Sequence, residues 1–557
     1  MYMEDYKRWC AHELEDADLA PELAAIKEND EEIRDRFAVS LEFGTAGLRG
    51  VIGAGSNRMN IYTVRQTTQG LANYLKANTK APKVAISYDS RNKSAAFANA
   101  AAEVLAANGV TAYLYRVLMP TPALSFAVRA LSCNAGIMVT ASHNPAKYNG
   151  YKAYGPDGCQ MTSESADAVY AEIQKTDLFE DIKRVPFEEG IAAGSIRYIG
   201  EDIVAEYYAN VKKQSVRPGV CAASGLKLVY TPLNGTGNLP VRHILSEIGI
   251  QDVTIVPEQE LPDGNFPTCP YPNPELRETL GLGLALCKEV GADLLLATDP
   301  DADRVGLAVR DGGDYRLLTG NEIGVLLLDY ICKARIEAGT MPDRAIYVRS
   351  IVTSSLADEV ARSYGIKPVQ VLTGFKYIGE TILHLEEKGE EARFIFGFEE
   401  SNGYLAGSYV RDKDAVVASM LICEMAAYYA SIGSTLKAQL DRIYQKFGTY
   451  LHKVDSFEFG GLAGMGQMKE IMAGLRANMP TEIAGHRVAR VEDYSTQRTI
   501  DVARHTESPI ELPRADVLIY HLDCGASVIV RPSGTEPKIK VYYAAKGTNY
   551  QDALRLQ

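Results

Sequence analysis

The chain has 557 residues, 58 basic against 71 acidic side chains, and a formal charge of −13. At about 150 residues per domain this length implies three to four domains. With 46% apolar and 23% charged residues a disordered or collagen-like chain is excluded, and the acidic excess excludes general nucleic-acid or anionic-membrane binding as the main activity.

The first 20 residues mix acids and bases around no apolar segment, and no later run approaches the roughly 18 apolar residues of a membrane span. The nine cysteines never form a Cys-x-x-Cys pair or a zinc-knuckle spacing, which fits a reducing compartment. A cytoplasmic protein is therefore expected. In chain order, the opening 40 residues read as amphipathic helices, for example over 18–36. Strands and helices then alternate, the signature of parallel βαβ units.

Three stretches repeat one order of events. The first passes through strands at 83–89, 111–115 and 135–139 into Thr140-Ala-Ser-His-Asn-Pro145. The second passes through 227–232, 252–256 and 292–297 into Thr298-Asp-Pro-Asp-Ala-Asp-Arg304. The third passes through 344–350, 368–372 and 393–397 into Phe398-Glu-Glu-Ser-Asn-Gly403. Beyond about 441 the strand-like runs at 486–494, 517–523, 526–533 and 539–545 look antiparallel. The expected fold is α/β: three similar α/β domains with mixed, mostly parallel sheets, and a C-terminal α+β domain, around a central cleft. The expected divisions are 1–214, 215–322, 323–440 and 441–557. Ligand groups gather at the carboxyl ends of strands in open α/β sheets, so the three loops should face one cleft.

Each loop carries chemistry and an ordinary alternative. Ser142 is a candidate nucleophile on a backbone that Pro145 and Asn149-Gly150 keep irregular; it could equally cap a helix. The loop lacks a hydrolase triad acid and the G-x-S-x-G elbow, so a phosphorylated serine fits better than an acyl-serine. Asp299, Asp301 and Asp303 alternate along a turn, and three such carboxylates need a cation, with oxygen-only ligands favouring magnesium or calcium. Arg304 stands at the EF-hand glycine position and Arg310 at its glutamate position, so that loop type fails; a solvated acidic turn is the alternative. Arg531-Pro-Ser-Gly-Thr-Glu-Pro-Lys538 offers charge, hydroxyls and a glycine for a phosphate cradle, or is an ordinary turn. Gly397-Phe-Glu-Glu-Ser-Asn-Gly403 supplies paired carboxylates and a hydroxyl that suit sugar hydroxyls, or is a solvated turn. Gly44 to Gly50 has no P-loop ending.

Taken together, TASHNP, DPDADR and RPSGTEP, in this order over nearly the whole chain, resemble the α-D-phosphohexomutase superfamily of phosphoglucomutases and phosphomannomutases. FEESNG and TGFKYIG (373–379) look like its branch of long bacterial phosphoglucomutases and phosphopentomutases. The resemblance implies that Ser142 carries the phosphoryl group and joins Asp299, Asp301 and Asp303 in holding Mg2+. It makes Arg304 a neighbour of the reacting phosphate, Lys152 the general acid or base, and His143 a second proton-transfer candidate. It places Glu399 and Ser401 on the sugar hydroxyls, Thr373 and Gly374 beside them, and Lys413 after them. Arg531, Ser533, Gly534 and Thr535 match the nonreacting phosphate site, and Thr45 and Arg49 the cleft entrance.

The implied reaction interconverts glucose 1-phosphate and glucose 6-phosphate through glucose 1,6-bisphosphate, with a sugar monophosphate as substrate and no nucleic-acid or membrane partner. Phosphopentomutase, phosphomannomutase and bisphosphate synthase activities share every motif. A silent sugar-phosphate binding protein would lack Ser142 or a metal Asp, and a metal-dependent phosphatase would release phosphate. Oligomeric state is not legible.

Overall fold

The apolar runs Ala135–Val139, Leu294–Thr298 and Phe394–Glu399 carry no polar alternation, so each requires cover on both faces. In the computed structural model, which describes residues 2–44, 47–459, 464–533 and 538–557, each is an interior strand buried along its whole length. They belong to three different sheets with one shared plan. In every sheet the third strand of the repeat lies beside the first, and the first beside the second, all parallel. This is the α/β architecture expected from the repeats.

A return strand follows each third strand and pairs with it antiparallel: Tyr148–Tyr154, Val305–Asp311 and Gly403–Leu405. The sequence reading had no place for these strands. They make the three sheets mixed, and they turn each chemically distinctive loop into the bend of a hairpin at the carboxyl end of a buried strand. Asn149 and Gly150, expected to keep the backbone irregular, lie within the first return strand. Gly150 is there for close approach. A Cβ at this position would sit 2.5 Å from the Thr140 carbonyl oxygen and 2.8 Å from that of Leu48.

The first sheet is extended by Leu48–Val51, antiparallel to the return strand, and by Ile196–Tyr198 at the other edge. The N-terminal stretch forms the helices Tyr2–Ala11, Leu19–Ala25 and Asp30–Phe37, the last capped by the Asn29 side chain. Their apolar faces bury Trp9, Leu23, Ile33 and Phe37 against the first unit.

Helices Gly320–Glu337 and Ala415–Ser431 join the units. Most of their side chains are buried in one core shared by all three sheets. Both have well-formed N-termini: a capping box between Thr319 and Glu322, and an Asp414 carboxylate accepting the N–H groups of Val416 and Val417. The division points expected at 322/323 and 440/441 fall inside Gly320–Glu337 and Leu436–Phe447. Among the described residues no single helix is long and apolar enough to cross a membrane; Ala415–Ser431 is apolar because it is core.

The fourth unit is one antiparallel sheet in the order Thr449–Glu458, Lys538–Gly547, Ser527–Pro532, Leu518–Leu522, His486–Asp493, Arg498–Asp501 and Thr506–Pro509. Both faces are used. Val488, Val491, Leu518 and Tyr520 pack beneath helix Gly464–Ala477, while Ile519, Ile529 and Tyr542 pack against Ile351, Val352 and Leu372 of the third unit. That second contact turns one face of the sheet toward the cleft.

Candidate active site

The serine hairpin is held from below by a buried pair that sequence reasoning missed. Thr140 donates its hydroxyl to Asp89 at 2.6 Å and accepts the Ser142 N–H at 2.8 Å. Arg91 donates to the carbonyls of Ser142 (2.5 Å), Pro145 (3.0 Å), Tyr148 (3.1 Å) and Asn144, and its guanidinium lies 5.0 Å from the centre of the Phe266 ring. These bonds hold Ser142 at φ 53°, a left-handed backbone that costs a non-glycine residue roughly 1–3 kcal/mol. The nearest signal in the sequence is 89-DSR, the loop after the first strand of the same repeat and so at the same sheet edge. Ser142 caps no helix, because its loop runs into the return strand.

Across the cleft the second hairpin buries Asp299, Asp301 and Asp303. The Ser142 hydroxyl donates to Asp299 Oδ2 at 2.9 Å, and Asp299 Oδ1 accepts the N–H groups of Asp303 and Arg304. Lys152 lies opposite Met138 on the return strand. From there its ammonium reaches Asp301 Oδ2 at 2.7 Å and Asp303 Oδ2 at 3.5 Å. Lys413 bridges Asp303 at 3.0 Å and Asp412 at 2.9 Å. Thr121, at the start of helix Thr121–Ala130, donates its hydroxyl to Asp301 Oδ2 at 2.9 Å and its N–H to the Asp301 carbonyl. Neither Thr121 nor Asp412 was legible as a site residue.

The trio is an electrostatic problem that a cation resolves. Burial, with Asp301 and Asp303 close by, pushes Asp299 well above the usual carboxylate range. Burial acts on Asp303 in the same sense, but Lys413 and Lys152 overcome it and hold that carboxyl well below its usual range. The Oδ1 atoms of Asp301 and Asp303 are buried without a hydrogen-bond partner. One oxygen from each of the three carboxylates lies within 4.8 Å of the others. An all-oxygen donor set with unused lone pairs fits a hard divalent cation.

His143 places Nδ1 3.2 Å from the Ser142 hydroxyl. Burial, then Arg304 and Arg49, push its pKa far below the usual histidine value, so the ring is neutral. Arg49 occupies strand Leu48–Val51 opposite Gly150. Arg304 pairs with Glu275 at 3.0 Å, and its buried Nε makes no hydrogen bond but lies 3.8 Å from Asp303 Oδ1.

The third hairpin brings the expected sugar-binding residues together. Glu399 accepts the Gly374 N–H at 2.7 Å, with Gly374 at φ 119°. The Thr373 hydroxyl is buried without a partner, and Ser401 stands at the bend. Burial and the Glu400 charge raise Glu399. Gly403 lets the Lys413 stem pass: a Cβ there would sit 2.2 Å from its Cδ.

On the fourth unit Arg531 donates from Nε to the Tyr542 hydroxyl at 3.3 Å. Burial works against its charge, but Tyr542, Glu400 and Glu399 keep it more basic than usual, which sets this strand end beside the sugar loop. Directly opposite Arg531 in the sheet register is Lys540, a residue the sequence reading passed over. Its ammonium makes no hydrogen bond or ion pair among the described residues, and burial, then Arg531, lower its pKa. Ser533 donates its N–H to the Lys538 carbonyl. Thr45, Gly534 and Thr535 lie outside the described residues.

Three repeated α/β units converging on a serine, a carboxylate trio and buried lysines, with a basic strand end opposite, define a multidomain enzyme built around a transferable phosphate. The units match, in order, the phosphoglucomutase/phosphomannomutase alpha/beta/alpha domains I (40–180), II (205–313) and III (319–447) and the C-terminal domain (476–555). The chain belongs to that family, a branch of the α-D-phosphohexomutases. Phosphoglucomutase of Staphylococcus aureus strain MSSA476 is 38% identical over 533 residues, 95% of this chain and 94% of that one. A putative phosphomannomutase of Thermus thermophilus superposes with a TM-score of 0.69 at 23% identity, covering 93% of this chain and 98% of its own. N-acetylphosphoglucosamine mutase of Aspergillus fumigatus, solved with GlcNAc-6P and magnesium, has a TM-score of 0.51 at 15% identity, covering 93% and 94%.

Proposed function

We propose that this chain is a cytoplasmic phosphoglucomutase that exchanges a phosphoryl group between Ser142 and the 1- or 6-hydroxyl of glucose phosphates. The observation that carries the reading is the Ser142 hydroxyl, 2.9 Å from a carboxylate of the buried trio and backed by two lysines. Phosphoryl transfer is mainly positioning and charge stabilisation, and this arrangement supplies both. Mg2+ bound by Asp299, Asp301, Asp303 and a phosphate oxygen on Ser142 would supply positive charge opposite the transferring group.

The chain's own residues do the rest. The sugar hydroxyl attacks phosphorus and gives up its proton, the Ser142 Oγ–P bond breaks, and Ser142 Oγ takes up a proton, so none is gained or lost overall. Lys152, kept protonated by Asp301 and Asp303 despite its burial, is the proton carrier, with neutral His143 the second candidate. Arg304 steadies the phosphoryl oxygens. Glu399 and Ser401 hold sugar hydroxyls, with Thr373, Gly374 and Lys413 bordering the ring and Thr45 and Arg49 at the entrance. Arg531, Ser533, Gly534 and Thr535 hold the phosphate that is not reacting, and Lys540 joins them. The resulting bisphosphate turns over, its other phosphate returns to Ser142, and the isomeric monophosphate leaves.

The test is a rate panel on glucose 1-phosphate, mannose 1-phosphate and ribose 1-phosphate with Mg2+ and catalytic glucose 1,6-bisphosphate. Glucose 1-phosphate should give the highest kcat/KM. A higher value for ribose or mannose 1-phosphate overturns the sugar assignment, and net phosphate release exceeding isomerisation overturns the mutase assignment.

A further inference from the structure

The fourth unit carries a second group of metal-ligand side chains, with a donor set unlike that of the catalytic trio. Two tight turns meet at one end of its sheet. Ala484 and Gly485, at φ 51° and 82°, close a two-residue hairpin that pairs Ile483 with His486. Between Leu518–Leu522 and Ser527–Pro532 the chain reverses through Asp523, Cys524 and Gly525, with Gly525 at φ 86°. Asp523 ties the turns together by donating its N–H to the Arg487 carbonyl at 3.0 Å, and Gly525 closes its own turn by donating to Leu522 at 3.0 Å. A ring nitrogen of His486, a carboxylate oxygen of Asp523 and the Cys524 sulfur lie within 4.8 Å of one another, with His486 Nδ1 3.7 Å from Asp523 Oδ1. The Asp523 carboxylate and the Cys524 thiol make no hydrogen bond among the described residues.

We propose that His486, Asp523 and Cys524 form a zinc-binding site separate from the catalytic trio. Imidazole, thiolate and carboxylate are the ligand types zinc selects, and three of them with water fill a tetrahedron. Binding releases the Cys524 thiol proton to solvent. Magnesium, which takes oxygen donors in octahedral geometry, has no comparable claim on a thiolate and an imidazole. The backbone of both turns is fixed by hydrogen bonds, so only side-chain rotation is needed to close the site. Strand Ser527–Pro532 runs from this turn to Arg531, which puts the zinc site at the end of the sheet remote from the phosphate cradle. Its occupancy would pin two hairpins of the fourth unit without entering the cleft.

Cobalt serves as the spectroscopic stand-in, titrated into the full chain in excess Mg2+. One equivalent should produce a thiolate-to-cobalt charge-transfer band that Zn2+ abolishes by displacement. The band should vanish in Cys524→Ser and persist in Cys10→Ser, which removes the exposed cysteine, and in Asp301→Asn, which alters the oxygen-only trio. Zn2+ affinity should fall by at least about 100-fold in His486→Ala, since losing a ligand costs no less than losing one of its outer-shell partners, about 10- to 100-fold. Absence of the band, its survival in Cys524→Ser, or unchanged Zn2+ affinity in His486→Ala would overturn the site. Because the readout is binding, the result is independent of the mutase assignment.

Discussion

The serine–carboxylate centre and the Arg531 strand end treat like charges in opposite ways. At the centre, three carboxylates face two ammonium groups and a guanidinium inside the protein, so most charges already have partners. At the strand end Arg531 and Lys540 stand directly opposite one another, and the lysine makes no ion pair among the described residues, with Glu400 the nearby opposite charge that acts on it. Like charges directly opposed across strands are destabilising. On the proposed function, the centre is preorganised for phosphoryl transfer, whereas the strand end sets two positive charges together in a way that suits an anion. Substitutions should separate accordingly: changes at the centre should act on kcat, and changes at the strand end on KM.

The largest effect belongs to Ser142→Ala, which removes the proposed acceptor of the phosphoryl group. Isomerisation should fall by at least about 10⁴-fold, as for other covalent nucleophiles, together with the phosphopeptide mass shift at residue 142. Turnover within tenfold of the parent chain would sink the nucleophile assignment. Asp301→Asn comes next, with an expected loss of about 10²- to 10³-fold in kcat and a weaker Mg2+ dependence at little change in KM. A normal kcat with a raised KM would instead make the trio a structural acidic turn.

Lys540→Met sharpens the comparison because its two consequences have opposite signs. Loss of a charge-assisted phosphate contact, ~1.5–3 kcal/mol, should raise KM about 10- to 100-fold with kcat nearly unchanged. Removing the repulsion of Arg531 should at the same time raise the Tm of the ligand-free chain. A drop in Tm without a change in KM would make Lys540 a framework residue.

These contrasts also explain what could be read from sequence. The repeats and the three loops were legible because a wholly apolar strand followed by a strange polar loop is a local pattern, as in 135-AGIMV before TASHNP. The return strands were not, because Tyr148–Tyr154 and Gly403–Leu405 contain glycine where backbones crowd together, and glycine in sequence reads as a turn. Asp89 and Arg91 reach Ser142 only through tertiary contact. Lys540 becomes visible once sheet register sets it against Arg531, nine positions earlier. Likewise, a scan for cysteine spacing excludes zinc motifs, yet His486 and Cys524 are joined by folding two turns together.

Thr121→Val should give the smallest of these changes and the sharpest division between positioning and charge. The hydroxyl donates to the same Asp301 oxygen that Lys152 holds, while the Thr121 N–H bonds the Asp301 carbonyl and survives the substitution. Valine matches the shape of threonine, so the variant removes one orienting bond of ~0.5–1.5 kcal/mol and little else. The expected result is a fall in kcat of about 2- to 10-fold, a similar rise in the Mg2+ concentration needed for half-maximal rate, and an unchanged KM for the sugar phosphate. If kcat falls as far as in Asp301→Asn, the carboxylate cannot find its working orientation without this bond, and the centre depends on the junction between the first and second units. An unchanged kcat would mean that Lys152 alone orients Asp301.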